Sequence, residues 1–317
     1  MIQIASRLPF ISLVIPVLNE EVNIPILYKG LKRYLVKYQY EIIFINDGST
    51  DESTKKIKQL HSKDSRVKLI NLSKNFGHQM AITCGLDFVR GEVAIVMDAD
   101  LQDPPELIPA MLAKWRMGYD VVYGIRTQRF GESFFKKSTA DIFYKTLNFL
   151  SPTKVPPNAG DFRLLSKRVV MELRHAREYQ RFLRGIVSWM GFRQIGIPYT
   201  RSARMQGRST ENFFTSLWWA KTILVNFSFK PLEWISFFAF MVMLGTFLLL
   251  GVNILMLLLF HNSPQGIPTI VFLILFLGGV QLLSLSVIAE YLAKIFLEVK
   301  HRPRYIVRKT VNLELKT

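Results

Sequence analysis

Across residues 1–124, short runs of aliphatic and β-branched residues alternate with longer stretches in which apolar positions recur every three or four residues. The first pattern reads as strand and the second as amphipathic helix, and their alternation predicts a parallel sheet with crossover helices. Strands are expected at Ile11–Pro16, Glu41–Asn46, Val67–Leu72, Val93–Asp98 and Asp120–Tyr123, and helices near Ile24–Leu35, Glu52–His61, His78–Val89 and Glu106–Met117. Ligands of such sheets bind beyond the carboxyl ends of the strands. Polar clusters follow three of the strands: PVLNEE from Pro16, NDGSTD from Asn46 and DADLQD from Asp98.

The C-terminal third has a different pattern. Ile235–Phe260 and Ile267–Ala289 carry no charged side chain, and each exceeds the ~20 residues of helix that cross a bilayer core. A buried helix of a soluble protein keeps a polar face, so two transmembrane helices are expected. The linker His261–Gly266 has no Lys or Arg, whereas both flanks are basic. The positive-inside rule then puts both termini in the cytoplasm. The apolar stretch in MIQIASRLPFISLVIP is short, and no signal peptide is read there. Ser133–Leu150 and Asn212–Phe229 mix aromatics with lysines at helical spacing, as helices lying in a membrane interface do.

Composition narrows the possibilities further. Half of the 317 residues are hydrophobic, with a mean hydropathy of +0.20, which excludes disorder and small disulfide scaffolds. One cysteine, Cys84, excludes an internal disulfide and a cysteine-rich zinc site. The net charge of +17 asks for an acidic partner: nucleic acid, anionic membrane or phosphorylated substrate. Residues 161–210 carry eleven Lys and Arg against three acids, next to the predicted membrane helices. Basic residues so placed gain ~1 kcal/mol each near anionic lipid.

Asp98 and Asp100 are one residue apart, so an extended chain projects them to one side, where they can share a hard cation through oxygen. Adjacent carboxylates repel unless something positive joins them. Asp103-Pro104-Pro105-Glu106 reads as a helix N-cap, first-turn prolines and an N3 Glu. Asp47 suits either a turn or a hydrogen bond to a base or ribose, and His78 reads as a surface or capping histidine. No G-x-G-x-x-G follows a strand and no G-x-x-x-x-G-K-[ST] occurs, which removes the main support for dinucleotide and P-loop binding.

With VIPVLNEEVNI, EIIFINDGSTD, NLSKNFGHQMAITCGL, VMDADLQDPPELI, YDVVYGIR, GDFRLLSKRVV and EVKHRPRYIV, the chain resembles the family-2 glycosyltransferases, in their polyprenyl-phosphate branch. That branch includes dolichyl-phosphate mannose synthase and the bactoprenol glucosyltransferases. Asn46 departs from the Asp that many relatives carry, at a position bearing on nucleotide preference. The resemblance implies an α/β fold, a GT-A (Rossmann-like) mostly parallel sheet with two C-terminal transmembrane helices. Residues 1–211 would be a cytoplasmic catalytic domain, 212–230 a juxtamembrane helix, 231–293 the membrane helices and 294–317 a basic tail.

The resemblance further implies that Pro16, Val17, Glu20, Asp47, Asp98 and Gln102 bind a nucleotide sugar, with Asp98, Asp100 and Gln102 around Mg²⁺ or Mn²⁺. Asp161, Asp100 and Arg163 would serve catalysis, and Arg126, Arg129 and Arg204 would meet phosphate or acceptor. The implied reaction moves a hexosyl group, glucose from UDP-glucose by family frequency, to polyprenyl phosphate at the bacterial cytoplasmic membrane. The implied assembly is a homo-oligomer, a tetramer being one form. Another lipid acceptor such as diacylglycerol is the alternative within the enzyme class, and a non-catalytic assembly or flippase partner the alternative outside it. No helix-turn-helix, zinc-finger or RNA-binding signature supports nucleic acid as the partner. No Q-x-x-R-W motif supports polymer synthesis.

Overall fold

The computed structural model describes residues 8–128, 154, 156, 159–176, 178, 179, 181–200, 228, 230–260 and 266–313. The helices expected within 133–150 and 212–229, together with Arg129 and Arg204, lie outside the described residues. The chain divides into two compact units, one comprising Met1–Asn148, Thr153–Asn212 and Arg302–Thr317, the other Phe149–Pro152 and Phe213–His301.

The first unit is built on β1 (Phe10–Val17), α1 (Asn23–Leu35), β2 (Gln39–Asn46), α2 (Ser53–Lys63), β3 (Val67–Leu72), α3 (His78–Phe88) and β4 (Val93–Val96). A 3-10 turn at Pro105–Leu107 leads into α4 (Ile108–Arg116), then β5 (Val121–Gln128), β6 (Ala159–Ser166), α5 (Lys167–His175), α6 (Leu183–Trp189) and β7 (Gln194–Thr200). The described strands form one sheet in the order β7-β5-β6-β4-β1-β2-β3-β8, where β8 is Val307–Val311. Strands β4, β1, β2 and β3 are parallel, while β6 runs antiparallel to both β4 and β5, and β8 antiparallel to β3. The sheet is therefore mostly parallel, as expected. Sequence alone did not mark β6, β7 or β8 as strands.

Burial explains the parallel core. Strand β1 is buried from Ile11 to Val17 and β2 from Tyr40 to Asn46, the near-continuous apolar reading of strands covered on both faces. Ile24, Leu27, Leu31 and Leu35 form the buried stripe of α1, which packs with Ile11, Leu13 and Ile15. On α3, a Cβ at Gly85 would stand 2.3 Å from Val14 Cγ1; glycine lets this helix lie close against the sheet. Strand order reverses at β1, which has β2 on one side and β4 on the other. A topological switch of this kind opens a crevice beyond the carboxyl ends of β1 and β4.

The second unit contains α7 (Lys230–Phe260) and α8 (Ile267–Val299). Leu232–Met256 and Ile270–Val299 are long and apolar enough to cross a membrane, with mean hydropathies of 2.4 and 2.5. At 1.5 Å per residue, the 33 residues of α8 reach about 50 Å, well beyond the ~30 Å hydrocarbon core. Its last turns carry Glu290, Lys294 and Glu298. The expectation had the second span end at Ala289 and a tail begin at Lys294. The helix itself runs on to Val299, and the residues from Arg302 on belong to the first unit.

Candidate active site

The loops after β1 and β2 interlock through reciprocal hydrogen bonds. The Asn19 amide donates to Ser49 Oγ and the Thr50 amide to Asn19 Oδ1; the Glu20 amide donates to Ser53 Oγ and the Glu21 amide to Asp51 Oδ2. Asn19 takes the left-handed φ of +57° that the turn requires. The polar residues of PVLNEE and NDGSTD thus brace one another and form one rim of the crevice.

Asp47 is buried and accepts the Phe76 amide at 2.7 Å and the Gly77 amide at 2.9 Å. Burial pushes its carboxyl up, and the two amides offset only part of that rise. It anchors the chain where α3 begins. Asn46 donates through Nδ2 to Thr54 Oγ1 and Asn71 Oδ1 and accepts the Ser49 amide. Donor and acceptor are both used, which suits an amide at this position better than a carboxylate.

Strand β4 ends at Val96, so Asp98 and Asp100 lie in the loop beyond it rather than on the strand. The Gln102 amide donates to Asp100 Oδ1 at 3.1 Å, and Leu101 between them has a φ of +62°. A leucine held there marks a strained loop that its surroundings over-determine. Asp103 is not the N-cap that sequence suggested. Pro104 occupies that position, and the buried Asp103 carboxylate accepts Tyr199 Oη at 2.8 Å and the Asp98 amide at 3.4 Å. Burial and then the charge of Asp98 push the Asp103 carboxyl up to about 7.

Antiparallel β6 brings Asp161 to the same rim. Val96 pairs with Arg163, and two residues further along that register Asp98 comes abreast of Asp161. His78, at the first position of α3, stands between them: its Nε2 is 3.4 Å from Asp98 Oδ1 and 3.5 Å from Asp161 Oδ2. Partial desolvation works against protonation of the ring, whose side chain stays 43% exposed, but Asp98 and Asp161 raise it to about 9. His78 is exposed at the start of α3, as the surface reading expected, but its ring also bridges two carboxylates, which that reading did not foresee. Gln79 Nε2 donates to Asp161 Oδ2 at 3.1 Å. Arg184 on α6 donates from Nε to Asp161 Oδ1 at 3.1 Å and from Nη2 to Asp161 Oδ2 at 3.3 Å. Burial opposes ionisation of Asp161, yet Arg184, His78 and Arg163 hold its carboxyl well below the usual range.

Arg163 is 5% exposed and donates to the Gly160 carbonyl at 2.7 Å, with Asp161 Oδ1 3.9 Å away. It supports the backbone beside Asp161. Arg126 reaches the rim from β5, its Nε donating to Tyr199 Oη at 3.4 Å, and its guanidinium fills the space over Gly160. Pro16 and Val17 close the end of β1, and Glu20 accepts Asn23 Nδ2 at 2.6 Å. Sequence reasoning undervalued His78 and passed over Gln79, Arg184 and Tyr199. The first two lie inside the quoted NLSKNFGHQMAITCGL, but Arg184 and Tyr199 carry no local signal.

Among the described residues, no group of three or more His, Cys, Asp or Glu side chains is spaced to hold a metal ion. Asp98 Oδ1 is nonetheless buried with no hydrogen-bond partner among them. Burial, reinforced by Asp100 and Asp161 and opposed by His78, pushes the Asp98 carboxyl up. Mg²⁺ and Mn²⁺ commonly take one or two carboxylates and complete their shell with water and phosphate oxygens. Asp98 and Asp100 fit a shared site of that kind.

The sequence matches the model of glycosyl transferase family 2 over residues 12–174. It is 43% identical over 308 residues to the uncharacterized glycosyltransferase YkcC of Bacillus subtilis, covering 96% of this chain and 95% of that one. It is 40% identical over 303 residues to the SfII prophage-derived bactoprenol glucosyl transferase of Shigella flexneri, covering 95% and 98%. Among solved structures, glucosyl-3-phosphoglycerate synthase from Mycobacterium tuberculosis in complex with phosphoglyceric acid aligns with a TM-score of 0.48 at 16% identity, over 69% of this chain and 80% of that one. The family match spans half of the chain and the near full-length identities span almost all of it: the chain belongs to glycosyl transferase family 2 and is a glycosyltransferase with a GT-A fold.

Proposed function

We propose that the protein transfers a hexosyl group, glucose from UDP-glucose in the first instance, to polyprenyl phosphate at the cytoplasmic face of the membrane, by a metal-dependent single displacement that inverts the anomeric carbon. The observation that carries this reading is the cluster of Asp98, His78, Asp161 and Arg184 at the switch-point crevice, beside Arg126. The near full-length likeness to a bactoprenol glucosyl transferase supports the acceptor. The two long apolar helices support a membrane location.

Pro16, Val17, Glu20 and Asp47 border the donor's nucleoside side, and Asp98 and Asp100, with Gln102 adjoining, would hold Mg²⁺ or Mn²⁺. When bound, that ion supplies charge neutralisation to the departing diphosphate. Arg126, steadied by Tyr199, offers an always-charged fork for a phosphate. Asp161 is held too strongly in its ionised form to be an effective proton acceptor. A phosphate monoester has a second pKa of ~6, so the acceptor arrives already ionised and needs orientation more than deprotonation. His78 and Arg184 fix the Asp161 carboxylate for that task, and catalysis rests on positioning and electrostatics.

The test incubates membranes containing the protein with labelled nucleotide sugars and undecaprenyl phosphate, with and without chelator. Label is expected in the lipid fraction from one donor, lost with chelator and lost in Asp100→Ala. Labelling of diacylglycerol instead would move the assignment to the other acceptor class, and a retained anomeric configuration would exclude single displacement.

A further inference from the structure

We propose that Arg304 and Tyr305, in the segment that follows the second apolar helix, are positioning residues for the Asp161 cluster. The structure gives the segment two arms, and each ends at Asp161.

The first arm runs through α3. Tyr305 Oη donates to Asp87 Oδ2 at 2.8 Å, in the last turn of that helix. Its first turn carries His78 and Gln79, the two side chains that α3 places on Asp161. Eleven residues of helix form a rod of about 16 Å, so a fixed far end sets where the near end lies.

The second arm runs through the link between α5 and α6. Arg304 Nη2 donates to the Ala176 carbonyl at 2.8 Å. That carbonyl also receives Arg181 Nη2, and the buried Arg181 guanidinium reaches the Leu173 carbonyl as well. Two residues beyond Arg181, the Leu183 amide donates to Gln79 Oε1; the next residue is Arg184, which holds Asp161 on both oxygens. Arg174 ties the two arms together by donating to the Leu86 and Val89 carbonyls at the end of α3.

The segment itself is held firmly at its outer end. The Ser73 amide donates to the Ile306 carbonyl, and β8 pairs with β3 directly afterwards. At its inner end His301 takes a φ of +47°. The quoted motif EVKHRPRYIV thus has a use beyond its charge: it is a latch on the two elements that bring cations to Asp161. The proposal rests on Asp161 being the orienting carboxylate of the reaction set out above.

The test uses the full chain in lipid nanodiscs and compares Tyr305→Phe and Arg304→Gln with Tyr28→Phe. Tyr28 Oη donates to Asp64 Oδ2 at the same 2.8 Å, remote from the crevice, so its loss controls for the stability cost of one Tyr–Asp bond. The expected result is a kcat lowered roughly three- to tenfold in the latch variants, with donor affinity within twofold of wild type and Tyr28→Phe unchanged in kcat. Hydrogen exchange should quicken in peptides covering residues 78–83 and 181–189. A Tyr305→Phe kcat equal to that of Tyr28→Phe, or faster exchange confined to 84–89 and 302–313, would overturn the latch. Absence of transfer to undecaprenyl phosphate by wild type would instead defeat the acceptor assignment, with the exchange data still deciding the latch.

Discussion

Arg184 holds Asp161 with two nitrogens on two oxygens, at 3.1 and 3.3 Å, although 23 residues and a helix separate them in the chain. A planar fork on a carboxylate fixes direction as well as charge, and here it fixes a carboxylate that faces the crevice between β1 and β4. Lysine cannot reproduce that grip. Arg184→Lys is expected to bind donor normally and to lose on the order of a hundredfold in turnover, whereas an unchanged kcat would remove Arg184 from the mechanism. Calorimetric donor titration beside steady-state kinetics separates the two effects.

Asp98 shares its surroundings with Asp100 and Asp161, and burial makes their mutual repulsion felt. Asp98→Asn relieves that repulsion and the burial of a charge while giving up the ion pair with His78, so the changes offset one another. The variant is expected to abolish metal-dependent donor binding without lowering the unfolding temperature measured in chelator. A fall of several degrees in chelator would mean that Asp98 is a structural residue.

Gly160 leaves the space that the Arg126 guanidinium occupies: a Cβ there would lie 2.9 Å from Arg126 Nη2. The obstacle is the tip of a long side chain, so Gly160→Ala displaces the arginine at little cost to the fold. Transfer should drop about tenfold or more while thermal stability changes by less than ~1 kcal/mol. A large loss of stability with proportionate loss of activity would show that the backbone, not Arg126, had moved.

The acid limb of stability involves Asp64. Hydrogen bonds from Arg66, reinforced by Tyr28 and opposed by burial, lower its carboxyl to about 2. A depressed folded-state value contributes stability above the unfolded carboxyl's ~3.9 that is lost as pH falls toward 2. The Arg66 side chain is 46% exposed, so water screens the pair and the contribution is no more than ~1–2 kcal/mol. Denaturant titrations between pH 2 and 7 should show Asp64→Asn destabilised at neutral pH and converging on wild type at the acid end. Parallel curves would place the contribution elsewhere.

Much of the fold was legible along the chain because it rests on local periodicity. The strands from Ile11 to Leu72 and the helices that alternate with them follow from apolar spacing, which each segment displays by itself. Strands β6, β7 and β8 were not legible. Ala159–Ser166 contains Asp161 and Arg163 at buried positions, and such residues read as surface until partners such as Gly160 and Arg184 are known. The short, basic Val307–Val311 reads as tail because the edge of β3 that it covers lies more than 230 residues away.

The candidate site divides along the same line. Sequence by itself determined the sheet-and-helix class, the two long apolar helices and the carboxylates of the DADLQD loop, since composition and short-range spacing encode all three. Tertiary structure decided that His78 joins Asp98 to Asp161, that Asp103 serves Tyr199 rather than a helix cap, and that Arg184 completes the cluster. Those relationships depend on distances between residues far apart in the chain. Only the packing of α3, β4, β6 and α6 around one crevice sets them, and no local pattern records it.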